Sequence, residues 1–124
     1  MRIVAGREFS TWLAGIQAIR GPTRTWAMSL LAHLRDLEEK PTVDSATLKR
    51  VRQAKRYEVW RLAHPFDPAA AVRILCWFPD QATAVVALVG GDKAVIGDVW
   101  YDSATPRAEG AIDQWHREHP EEQS

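Results

Sequence analysis

Cysteine is almost missing from this chain. Cys76 stands alone, so no internal disulfide can form and no zinc site can be assembled from thiolates. Its neighbours Ile74, Leu75, Trp77 and Phe78 are apolar, which makes it a small buried hydrophobe. No segment approaches the roughly 20 apolar residues of a membrane-spanning helix, and no basic start, apolar stretch and small-residue cleavage site mark a secretory signal. The expectation is a soluble protein in a reducing, cytoplasmic setting. Gly90-Gly91-Asp92-Lys93 has neither the spacing nor the Ser/Thr of a phosphate-cradling loop, and no serine sits on a nucleophile elbow. The four histidines, His33, His64, His116 and His119, lack zinc-ligand spacing with carboxylates or cysteine. No metal and no cofactor is expected.

A net charge is missing as well, but only in the sum. Residues 1–73 hold 13 Lys/Arg against 7 Asp/Glu, while residues 74–124 hold 3 against 9. Such asymmetry between halves points to a polyanionic partner. The densest basic stretch is Lys49-Arg50-Val51-Arg52-Gln53-Ala54-Lys55-Arg56, with Arg61 soon after. It is either a solvated face or a ridge that tracks phosphates, each neutralised phosphate adding a salt-dependent term to affinity.

At 124 residues, 46% of them hydrophobic and six of them tryptophan, the chain suits one domain with an aromatic-rich core. We expect that domain to span residues 1–118, with a polar tail over 119–124. Arg2-Ile3-Val4-Ala5 can form a short strand. Phe9, Trp12, Leu13 and Ile16 recur at helical spacing, and Trp26, Leu30, Leu34 and Leu37 line a second helix that opens after Gly21-Pro22 and ends near Glu39-Lys40. Tyr57–Leu62, Ala71–Phe78 and the nearly all-apolar Thr83–Val89 read as a meander of strands, with prolines or glycines at each break. Val99-Trp100-Tyr101 forms a last short run that places Tyr101 at the sheet's edge. A closing helix follows, capped by Ser103 or Thr105 and with Pro106 in its first turn. The fold class is α+β: two N-terminal helices packed on a small, mainly antiparallel sheet, with a C-terminal helix.

Arg73 stands between Val72 and Ile74 in an otherwise apolar strand. A guanidinium there must meet a carboxylate, a groove or solvent. A salt bridge to Asp98 or Glu58 is one reading, and a phosphate-binding arginine in a cleft is the other. With Lys93 after the next strand and Tyr101 beyond it, the set suits RNA cleavage by the RNA's own 2′-hydroxyl. That reaction needs proton transfer and fixed cations to stabilise the phosphorane's charge, and needs no metal.

The meander residues Tyr57-Glu58-Val59-Trp60-Arg61-Leu62 and Val72-Arg73-Ile74-Leu75, the strand ending in Gly90-Gly91-Asp92-Lys93, and Asp98-Val99-Trp100-Tyr101-Asp102-Ser103 together resemble the RelE-type toxins of bacterial toxin–antitoxin systems. The nearest forms carry a turn like His64-Pro65-Phe66-Asp67-Pro68. The resemblance covers most of the chain and is closest from about Leu48 to Trp115. It implies a RelE-like fold and an endoribonuclease (mRNA interferase) that cuts mRNA in the ribosomal A site, inhibits translation, leaves 2′,3′-cyclic phosphate ends and is silenced by a cognate antitoxin protein. Carried over residue by residue, Arg73 contacts the scissile phosphate, Lys93 stabilises charge and Tyr101 moves protons; Lys49, Arg50, Arg52, Lys55, Arg56 and Arg61 correspond to the family's RNA-binding cations in location rather than in register. A neutral net charge and few cations after Lys93 favour a rival expectation: a ParE-like module of the same fold that inhibits a protein such as DNA gyrase without cutting RNA.

Overall fold

A computed structural model describes residues 1–19, 21–64, 72–92 and 99–120. Its elements run β1 (Arg2–Ala5), α1 (Arg7–Gln17), α2 (Pro22–Asp36), β2 (Leu48–Arg50), β3 (Trp60–Leu62), β4 (Val72–Trp77), β5 (Ala84–Asp92) and α3 (Val99–Glu118). The strands form one five-stranded sheet in the order β1-β5-β4-β3-β2. Three of the four pairings are antiparallel, and β1 lies parallel to β5. The protein is thus α+β, the described residues forming three helices and a mostly antiparallel sheet.

Alternation along the strands sends side chains to two different cores. Trp60, Leu62, Val72, Ile74, Cys76, Val85 and Ala87 face α1 and α2, where they meet Phe9, Leu30 and Leu34. Leu75, Val86, Leu88 and Val89 face the other way, against Trp100, Ala104, Ala108 and Ile112 of α3. Two cores on opposite faces explain why β4 and β5 are apolar at nearly every position. Each fully buried Leu, Ile or Phe contributes on the order of 2 kcal/mol. Complete burial also holds the Cys76 thiol in its protonated form, its pKa pushed far above the usual thiol range.

Strand β5 does not stop at Val89 as its apolar run suggests, but continues through Gly90, Gly91 and Asp92. The glycines are there because an indole lies on each face. A Cβ on Gly90 would stand 2.2 Å from Trp12 Cε3, and one on Gly91 would stand 2.5 Å from Trp100 Nε1. Gly91→Ala is therefore expected to push Trp100 off the sheet, at a cost of about 1–3 kcal/mol and a fall in Tm on the order of 10 °C. A thermal melt within error of the wild type would show that α3 does not depend on this contact.

Two further expectations are corrected. Val99-Trp100-Tyr101 is no strand but the first turn of α3, and Pro106 lies inside that helix rather than at its start. The cause is a continuous apolar stripe, Trp100, Tyr101, Ala104, Ala108 and Ile112, buried against the sheet. Burying that stripe outweighs one lost backbone bond at an exposed proline. Nearby, Arg107 Nε donates to the Ser103 carbonyl at 3.3 Å. The basic stretch also begins as a strand, β2, whose Arg50 amide donates to Asp44 Oδ1 at 3.0 Å and whose Leu48 amide donates to Ser45 Oγ at 3.0 Å. Strand β3 is shorter than expected, starting at Trp60 rather than Tyr57, and α2 ends at Asp36. Of the expected polar tail, His119 stacks on Trp115 with ring centroids 4.2 Å apart, and residues 121–124 lie outside the described residues.

Candidate nucleic-acid interface

Register decides which cations share a face. Leu48, Trp60, Leu62, Val72 and Ile74 all point towards α1 and α2, so Lys49, Arg61 and Arg73 between them point to the α3 side. Lys49 pairs directly with Arg61, and Arg61 with Leu75. Arg73 is therefore a diagonal neighbour of Arg61, about 7–8 Å away. Like charges set directly opposite on a strand pair are destabilising, and this sheet face carries three cations in a row.

Among the described residues none of them is neutralised. Lys49, Arg50, Arg52, Arg61 and Arg73 form no ion pair among the described residues. Arg61 Nε and Arg73 Nε are buried, with no hydrogen-bond partner among the described residues. Arg73 Nη1 donates to the Val72 carbonyl at 2.9 Å. The salt bridge considered for Arg73 does not reach Glu58, whose carboxylate accepts from Trp60 Nε1 at 3.0 Å and lies 3.9 Å from Lys40 Nζ. Asp98 lies outside the described residues.

A cleft of about 370 Å³ opens at this place, lined by Lys49, Arg50, Val51, Arg52, Gln53, Arg61 and Tyr101. Four of the seven are cationic. Tyr101 arrives from the first turn of α3 rather than from a sheet edge. It is 9% exposed and packed beside Trp100, with ring centroids 5.1 Å apart. Cations and a phenol at one cleft can hold an anion, stabilise charge that develops on it and relay a proton. Two larger clefts, of about 620 and 570 Å³, lie along β1 and α3 and share Val4, Val86, Trp115 and His119. Their charged linings mix signs, Arg2 with Asp80 in one and Arg7 and Arg107 with Glu8 and Glu118 in the other. Neither offers the single-sign field that draws a polyanion.

The structure thus brings Lys49, Arg50, Arg52, Arg61 and Tyr101 to one cleft, with Arg73 on the same sheet face. Lys93 lies outside the described residues. Lys55 is exposed but does not line the cleft. Arg56 turns to α3, where its guanidinium donates to Asp113 Oδ1 and Oδ2 at 3.1 and 2.9 Å. Part of the charge asymmetry read from the sequence is therefore satisfied within the fold. Among the described residues, no group of three or more His, Cys, Asp or Glu could hold a metal ion, and no helix is long and apolar enough to cross a membrane.

Two residues that motif reasoning passed over, Glu109 and Asp113, meet the basic loop from α3. Hydrogen bonds from Arg56 and Tyr57 hold the Asp113 carboxyl below its usual range, and the bond to Asp113 raises the Tyr57 phenol above its own. A lowered carboxyl pKa stabilises the fold above the unfolded value of about 3.9 and ceases to do so as pH falls through the folded value. A raised phenol pKa contributes below its unfolded value of about 10 and is lost as pH rises through the folded value. The stability gap between wild type and Asp113→Asn should therefore hold level across neutral pH and close below about pH 4. Denaturant titrations at several pH values check this, and a gap that widens in acid would reverse the assignment.

Comparison of the chain with protein-family models, with curated proteins and with solved structures finds no match.

Proposed function

We propose that this chain is a RelE-like toxin of a type II toxin–antitoxin system, an endoribonuclease that cuts mRNA in the ribosomal A site and is held inactive by a cognate antitoxin protein. The observation that carries the reading is the row of like charges, Lys49 opposite Arg61 with Arg73 diagonal to it, left without carboxylates among the described residues beside a cleft lined by Tyr101. Such a row costs stability unless an anion lies among its members. A phosphodiester supplies that anion.

In the proposed reaction the RNA's 2′-hydroxyl attacks the adjacent phosphorus, and the bond to the 5′-oxygen of the next nucleotide breaks. Tyr101 transfers a proton at the cleft, while Arg61 and Arg73 neutralise the charge that builds on the non-bridging oxygens. Lys93 joins them through the resemblance alone. The product carries a 2′,3′-cyclic phosphate, and its hydrolysis is the second step.

The rival reading, inhibition of a protein partner such as DNA gyrase, draws on the zero net charge and on the neutralisation of Arg56 by Asp113. Expression of the wild-type chain in a bacterial host separates the two. The nuclease reading expects growth arrest with new mRNA 5′ ends spaced by codons. Arrest with lost plasmid supercoiling and no new ends would replace it with the rival.

A further inference from the structure

The wall of the cleft that carries Arg52 and Gln53 is a loop between β2 and β3, and α3 holds that loop from behind. Glu109 is only 9% exposed. Its Oε2 accepts the backbone amides of Arg56 at 2.7 Å and Tyr57 at 3.2 Å, so one oxygen of this buried carboxylate holds the main chain of a distant segment. One turn further on, Asp113 takes both ends of the Arg56 guanidinium at 3.1 and 2.9 Å and accepts the Tyr57 hydroxyl at 2.5 Å. The Arg56 guanidinium lies 5.3 Å from the centre of the Tyr57 ring. At the loop's mouth the Val51 amide donates to the Val59 carbonyl at 2.9 Å. The stretch bearing Arg52 is thus fixed at both ends.

The same helix presents Tyr101 two turns earlier, about 12 Å along its axis from Glu109 at 1.5 Å per residue. A single rigid element therefore supplies the phenol on one side of the cleft and sets the position of the cations on the other. We propose that Glu109 and Asp113 are positioning residues for RNA binding: they lock residues 56–57 to α3 and so hold the basic wall at a fixed distance from Tyr101, and Arg56 belongs to this lock rather than to the RNA contacts. The inference rests on the RNA reading for what the cleft binds, though the lock itself does not.

A charge exchange tests it. Binding of a fluorescein-labelled 12-nucleotide single-stranded RNA is followed by anisotropy over a series of salt concentrations. Arg56→Asp and Asp113→Arg are each expected to weaken binding about tenfold, the loss of one charge-assisted contact. The double exchange is expected to recover most of that loss, with the wild-type salt dependence, because the pair is restored with its polarity reversed. Lys49→Ala, which removes a direct contact, instead lowers the salt slope by about 0.7. A double exchange that binds no better than the single variants would overturn the proposal, since an aspartate at position 56 repels phosphate if Arg56 touches RNA.

Hydrogen exchange at the Arg56 and Tyr57 amides gives a reading that needs no RNA. Glu109→Ala should speed exchange at both by about tenfold or more, with Glu109→Gln in between. Exchange unchanged in Glu109→Ala would dispose of the lock. Should the wild type bind no RNA while these amides still depend on Glu109, the RNA reading falls and the lock stands.

Discussion

Tyr101→Phe should abolish RNA cleavage while leaving the domain folded. Removing a positioned proton-transfer group costs about 10²–10⁴-fold in rate, enough to relieve growth arrest in a host expressing the variant. The ring stays, and with it the packing against Trp100 at 5.1 Å and the buried stripe of α3, so the circular dichroism spectrum and Tm should stay close to the wild type. The paired readout matters because Tyr101 is part of a core as well as a cleft. A variant that unfolds says nothing of chemistry, whereas a folded variant that still arrests growth at wild-type levels removes Tyr101 from the reaction.

The second large effect runs in opposite directions for stability and activity. Arg73→Met should lower cleavage by about 10²-fold, the usual loss when one fixed donor to a developing charge is removed. The same change should raise stability, by about 1 kcal/mol, because it replaces a partly desolvated guanidinium without a carboxylate partner among the described residues by an apolar chain of similar length. For a chain of this size that is a rise in Tm of about 3–5 °C. Residues kept for function at a cost in stability give this signature. If Arg73 were structural, Arg73→Met would lower Tm and leave turnover in proportion to the folded fraction.

Much of the layout was legible in the residues because periodicity reports burial directly. Phe9, Trp12, Leu13 and Ile16 share a helical face, and Val72, Ile74 and Cys76 alternate with Arg73 and Leu75 across the two faces of β4. That alternation also made Arg73 conspicuous. Strand β2 was hidden because only one of its three residues, Leu48, is buried, the other two being charged. The first turn of α3 looked like a strand because Val, Trp and Tyr favour strands on their own, and only packing against Gly91 and the sheet overrides that preference. The parallel pairing of β1 with β5 joins residues more than 80 positions apart, a separation for which local pattern carries no signal.

The site shows the same division. Lys49, Arg50, Arg52 and Arg61 were visible as a basic run, and the structure gathers them at one cleft with Tyr101. The run could not reveal that Arg56 is turned away from it. Its partner Asp113 lies 57 positions on, and an isolated Asp or Glu in an amphipathic helix ordinarily means a solvated face. Glu109 gave one available hint: it sits next to Ala108, on the buried side of the stripe, where a carboxylate needs a partner.

Cleavage by the RNA's own 2′-hydroxyl at this cleft can be checked with two ribosome-bound mRNAs that differ at one atom. In one, the nucleotide 5′ of the cleavage position keeps its 2′-hydroxyl; in the other it is 2′-deoxy. The wild-type protein is expected to cut the first to leave a 2′,3′-cyclic phosphate and to leave the second intact. Equal cutting of both would contradict the mechanism, and cutting of neither, by a protein that still arrests growth, would contradict the nuclease.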